Sequence, residues 1–111
     1  MYVTNVDTRS VGQVTVTDGR FTDWTFISAG AHPCIAPDGS YLLYDRDGTH
    51  LFVKFRLADG KWSAAKDLTQ HGMPVKAGIA SISPDGKYLF YGHQGDLYWV
   101  STELITNLKG E

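Results

Sequence analysis

Cysteine is almost missing from this chain. Cys34 is the only one in 111 residues, so no intrachain disulfide and no cysteine-based zinc site can form. It sits between Pro33 and Ile35 in an apolar run and reads as a small buried hydrophobe, not a nucleophile. Positive charge is scarce as well. Ten Lys and Arg face twelve Asp and Glu, for a net charge of −2. Without a basic stripe to neutralise phosphates, nucleic acid is not an expected partner. No run reaches the roughly 18 consecutive apolar residues that cross a bilayer as a helix, so no membrane span is expected. The chain does not open on a charged stretch followed by an apolar one, so no signal peptide is expected within it. Gly-x-Ser-x-Gly elbows, phosphate-binding loops and dinucleotide fingerprints do not occur.

What the chain has is repetition. Ile35-Ala36-Pro37-Asp38-Gly39-Ser40-Tyr41-Leu42-Leu43-Tyr44 returns as Ile82-Ser83-Pro84-Asp85-Gly86-Lys87-Tyr88-Leu89-Phe90-Tyr91, 47 positions later. Pro presets φ at the first central turn position, Asp accepts backbone hydrogen bonds and Gly takes φ > 0. Pro37, Asp38 and Gly39, and again Pro84, Asp85 and Gly86, therefore read as structural turns between paired strands. A period of 40–50 residues built from short strands is that of a β-propeller blade.

The rest of the chain falls into the same frame. His50–Leu57 and Asp96–Ser101 follow as third strands, and Trp62–Leu68 as a fourth, outer strand. Val14–Phe21 matches Phe55–Trp62 at an offset of 41, with Asp18-Gly19 on Asp59-Gly60. The same offset lays Met1-Tyr2-Val3 on Leu42-Leu43-Tyr44 and Phe26-Ile27 on Asp67-Leu68. The expected fold is all-β: three consecutive propeller blades in one domain, with a short C-terminal helix. Blade 1 is partial, residues 1–27, with strands two to four. Blade 2 is complete, residues 31–68. Blade 3 is partial, residues 78–101, with strands one to three. The helix, residues 102–109, has Thr102 as its N-cap, Leu104, Ile105 and Leu108 as its apolar face and Gly110 as its stop.

These residues resemble the TolB-like, WD-repeat-like family of bacterial six-bladed propellers. Ser83–Phe90 carries the turn signature, and Ala31–Asp38, Phe55-Arg56, Asp59–Trp62 and Gly95–Val100 fit further segments. The resemblance implies the C-terminal half of a member, about half the usual length. It implies a binding platform, an enzyme accessory domain or, in some branches, a lyase or hydrolase. Members are often periplasmic or secreted, but nothing in these residues assigns a compartment.

Few residues invite a chemical role. His32 opens an inner strand, where side chains line the central channel, and is the first candidate ligand contact. Arg56 is a charge on an otherwise apolar strand. It fits either an anion contact or an ion pair with a neighbouring carboxylate such as Asp45 or Asp47, and the ion pair is preferred. Asp45 completes the candidate ligand set. His50, His71 and His93 read as loop polar groups. Asp23, Asp45, Asp47 and Asp67 could cluster for acid–base work, although no periodicity requires it. No catalytic residue, metal site or cofactor is assigned. The aromatics, Tyr41, Tyr44, Phe52, Trp62, Tyr88, Phe90, Tyr91, Tyr98 and Trp99, read mainly as inter-blade core.

The expected function is a non-enzymatic scaffold. It would self-associate as a homodimer that completes a six-bladed ring and would bind a protein or small molecule at the channel. The alternative is a hydrolase, lyase or accessory domain acting on carbohydrate or peptide. A His32-centred cluster with two or more carboxylates in one polar pocket would favour the enzyme. Mutually paired groups would favour binding.

Overall fold

A computed structural model describes residues 1–46 and 50–109. The chain is mostly β, arranged as three antiparallel sheets. The first sheet has β1 (Tyr2–Asn5), β2 (Ser10–Thr17) and β3 (Arg20–Ala29) in sequential order. The second has β4 (Ala31–Ile35), β5 (Tyr41–Arg46), β6 (His50–Phe55) and the two-residue β7 (Lys66–Asp67). The third has β8 (Gly78–Ile82), β9 (Tyr88–His93) and β10 (Asp96–Ser101). A single α-helical turn, α1 (Glu103–Thr106), follows.

The repeated turns share one structure. Ala36 N–H donates to Tyr41 O at 2.9 Å, and Ser83 N–H to Tyr88 O at 2.9 Å. Asp38 accepts from Ser40 N–H at 3.0 Å, and Asp85 from Lys87 N–H at 3.0 Å. Gly39 and Gly86 take φ of 77° and 76°, which is why glycine closes both turns. Hydrogen bonds from a serine hydroxyl, Ser40 to Asp38 and Ser83 to Asp85, hold both carboxyls below their ordinary range, aided by the backbone N–H groups.

Side-chain alternation assigns the faces. From β5 and β6, Tyr41, Leu43, Leu51, Val53 and Phe55 join Leu89 and Tyr91 of the third sheet in one core. Leu42 and Tyr44, with Phe52 beside them, pack against Val11 and Ile27 of the first sheet in another. The central sheet is covered on both faces, so residues 41–45 are all buried. Ile105 and Leu108 of the C-terminal segment close the larger core from below, and Lys66 Nζ donates to Leu108 O at 2.7 Å.

Some expectations need correction. Trp62–Leu68 is not a continuous strand. Trp62 makes an isolated bridge with Arg56, and pairing resumes only at Lys66–Asp67. Ser63 intervenes, its hydroxyl accepting from Phe55 N–H at 2.9 Å. Leu68 instead begins a 3₁₀ turn, Leu68–His71, because Asp67 caps it by accepting from Thr69 N–H at 2.9 Å. The third strand ends at Phe55, short of Leu57. Thr102 occupies the N-cap but does not cap; its hydroxyl donates to Gly86 O at 2.7 Å and ties the helix to the turn. In β2 the offset of 41 fails locally. Tyr2 faces Gln13 where Leu43 faces Val53, and the bulge between Gln13 and Thr15 absorbs the difference. Gly110, expected as the helix stop, lies outside the described residues, as does Asp47.

Candidate functional site

The site begins with a bulge. Ala31 pairs with Asp45 and Cys34 with Leu43, so β4 carries one residue more than β5 between them. His32 absorbs the extra length in the left-handed region, at φ 54°. The turn of the chain swings its ring to Asp45, and Nδ1 meets Oδ2 at 2.8 Å. Asp45 is buried, with its side chain 4% exposed, whereas the His32 side chain is 56% exposed. A buried carboxylate thus anchors a ring whose other edge is accessible. His32 N–H donates to Thr4 Oγ1 at 3.1 Å, linking the second sheet to the first.

Two cavities meet at this pair. One, of about 790 Å³, lies toward the first sheet and is lined by Thr4, Thr8, Arg9, Gly30 and Arg46. The other, of about 560 Å³, lies toward the third sheet and is lined by Lys76, Ile79, His93, Gln94 and Asp96. His32 and Asp45 line both. Gly30, at φ 141°, is required here. A Cβ on it would lie 2.6 Å from Asp45 O and 2.7 Å from the Tyr44 ring.

The third sheet repeats the bulge without the chemistry. Gly78 pairs with Gly92 and Ser81 with Phe90, and Ile79 takes φ 52°. Ile79 and Gly92 stand 47 positions after His32 and Asp45. A β-branched residue in the left-handed region is costly, by about 1–2 kcal/mol. The backbone keeps the bulge regardless of which side chain occupies it.

Arg56 is placed elsewhere and does not pair with Asp45. Its guanidinium lies 4.3 Å from the Trp62 ring and donates to Gly39 O at 3.2 Å, to Gly60 O at 3.3 Å and to Tyr2 OH. These contacts clamp two turns and the first sheet together. The expected pairing with Asp45 fails because Asp45 projects into the bulge at the opposite end of β5 from Tyr41, which pairs with Phe55; Asp47, the other partner named, lies outside the described residues.

Among the described residues, Asp23, Asp45 and Asp67 do not gather into a cluster, and Asp47 lies outside them. Asp67 caps the 3₁₀ turn, and Asp23 accepts from its neighbour Thr22. Among the described residues, no three His, Cys, Asp or Glu side chains gather as metal ligands would. His93 is not a loop residue; it ends β9, and its Nδ1 is buried with no hydrogen-bond partner. His50 lies beside Asp67 at 4.0 Å, and His71 ends the 3₁₀ turn. Cys34 is half-buried, and burial pushes its thiol pKa up against one opposing backbone hydrogen bond, which disfavours the reactive thiolate. Thr4, Thr8 and Arg9 were not singled out from sequence. They reach the cavity through packing between sheets, and no local pattern marks them. No protein-family model matches the chain, and no curated protein matches it significantly.

Proposed function

We propose that the three sheets are consecutive blades of a TolB-like β-propeller, and that two copies close into one six-bladed ring that binds a small ligand at its channel. The observation that carries this reading is the composition of the two faces left bare. Within the chain, Tyr41, Leu43, Leu51 and Val53 of the second sheet cover the third. Their counterparts one repeat later are Tyr88, Phe90, Leu97 and Trp99. Strand register puts Trp99 opposite Phe90 and Leu97 opposite Gly92, so these counterparts share one face, away from the Leu89–Tyr91 core. Trp99 is 63% exposed and Leu97 74%. The first sheet likewise leaves Trp24 and Phe26 exposed, with Phe26 opposite Gly12 and the Trp24 ring over that glycine.

Contiguous apolar faces of this kind mark interaction surfaces. Repeat logic specifies the occupant. The face of the third sheet is built to receive the next blade, and the far face of the first to receive the preceding one. A second copy supplies both at once. The contact joins unlike surfaces, but at a half-turn per copy it closes after two and gives two-fold symmetry. The count of six comes from the family resemblance.

The channel would collect the His32–Asp45 pairs. Asp45 is already paired with His32; Asp96 lines the third-sheet cavity with them, but among the described residues no three such side chains gather, which fits binding better than acid–base catalysis. Light scattering at micromolar concentration tests the assembly. The expected mass is near twice the 12.3 kDa chain. A monomer whose melting is indifferent to dilution would remove the ring.

A further inference from the structure

We propose that the cavity between the first and second sheets binds a small molecule through an oxyanion group, a carboxylate or a phosphate. This deepens the ligand-binding reading above, but it needs only one chain, because every residue it uses lies in the first two sheets.

The argument starts with charge. Among the described residues, the charged side chains on the wall of the cavity are Arg9, His32, Asp45 and Arg46. Asp45, the one acid among them, is already engaged by His32 Nδ1 at 2.8 Å. The Arg46 guanidinium is drawn over the Phe52 ring, 4.8 Å from its centre. Among the described residues no carboxylate lies within ion-pair distance of Arg9. In a chain of net charge −2, Arg9 therefore brings to this wall a positive charge that no described carboxylate pairs.

Hydrogen-bonding groups converge on the same space. Thr4 Oγ1 accepts from His32 N–H, which leaves its own O–H to donate. Asp45 holds Nδ1 of His32 and leaves Nε2 as the ring atom open to the cavity. In the imidazolium form Nε2–H is a donor, and Arg9 offers the planar fork that matches carboxylate or phosphate oxygens.

The fold does not need the pair. The third sheet makes the equivalent bulge with Ile79, the residue after the Gly78–Gly92 pair, at φ 52° against 54° for His32. A buried carboxylate is a costly addition to a bulge that forms without it. The pair's presence in one repeat and not the other points to binding at that one place.

The test is an NMR titration of the intact chain at mildly acidic pH, with inorganic phosphate and, separately, succinate, following the His32 ring and Arg9 resonances. Saturable shifts are expected for at least one ion. Phosphate alone would name a phosphate-bearing ligand, and succinate alone a carboxylate. Arg9→Ala should weaken binding at least about tenfold, and His32→Gln about fivefold, scaled on the loss of a charge-assisted hydrogen bond. Lys61→Ala, on the distant hairpin after β6, should change nothing. Melting curves check each variant, and Arg9→Gln replaces Arg9→Ala if the latter does not fold. No saturable shift up to tens of millimolar of either ion, or shifts that survive both substitutions, overturns the proposal. Sedimentation of the same samples separates the two readings. A monomer that binds removes the ring and keeps the site, and a dimer that does not bind does the reverse.

Discussion

Replacing Trp99 with alanine should break the proposed ring without unfolding the chain. Trp99 stands on the bare face of the third sheet, 63% exposed, with Tyr88 set edge-on at 5.3 Å. A Trp side chain presents up to about 250 Å², so with 63% exposed about 160 Å² remains to be covered by a neighbour. At about 25 cal/mol per Å² that area is worth about 4 kcal/mol of transfer free energy. Side-chain ordering and imperfect desolvation on association remove roughly half, leaving about 2 kcal/mol per contact. A two-fold ring contains the contact twice, so the dimer should lose about 4 kcal/mol, or about three decades in Kd. Sedimentation equilibrium across a dilution series reads this directly. Leu57→Ala is the control, since Leu57 is 47% exposed on the hairpin after β6 and takes no part in the proposed interface. The variant's melting should no longer depend on concentration, whereas the parent's should. A Trp99→Ala variant that associates as tightly as the parent would refute the reasoning, as would a parent that is monomeric throughout.

Three further outcomes are expected. Gly86→Ala should lower stability by about 1 kcal/mol and the melting temperature by roughly 4 °C, because Gly86 sits at φ 76° with open space around it, so backbone strain is the whole cost; an unchanged melt would count against the turn geometry. His32→Ala should cost about 1–3 kcal/mol by leaving a buried carboxylate unpaired, while His32→Ala with Asp45→Ala should cost less than the two single changes summed; urea unfolding of the cycle decides, and strict additivity would mean the pair is not coupled. The phenol of buried Tyr41 is pushed up to about 12, chiefly by burial and secondarily by Cys34 and Asp38. A folded value above the unfolded one means stability is full below the ordinary tyrosine value of 10.0 and falls as pH rises from there toward about 12. Unfolding midpoints measured through that window should decline in the parent and decline less in Tyr41→Phe.

The fold was legible in the sequence wherever the physics is local. A Pro-Asp-Gly turn is decided within four residues, and both copies form the same hydrogen bonds. Alternating apolar strands between such turns announced the three sheets, since period-two burial needs no knowledge of partners. The 3₁₀ turn at Leu68 was missed because Asp67 can cap or pair, and its choice depends on Thr69 beside it and on how far β6 extends. The site was half legible. His32 drew notice at the start of an inner strand and Asp45 as a neighbouring carboxylate, but their contact depends on a bulge, and the bulge arises from pairing between β4 and β5. Arg56 was placed with the wrong partner for a similar reason. Its clamp on Tyr2, Gly39 and Gly60 joins three segments that meet only after two sheets have packed. Arg9 and Thr4 carried no signal, because a hairpin residue becomes a cavity wall only when another sheet stands opposite. By itself the sequence determined the turns, the strands and their period, since each rests on a few neighbouring residues. The tertiary structure alone decided which faces are covered, which are bare and which side chains share a cavity, since those depend on contacts between residues far apart in the chain.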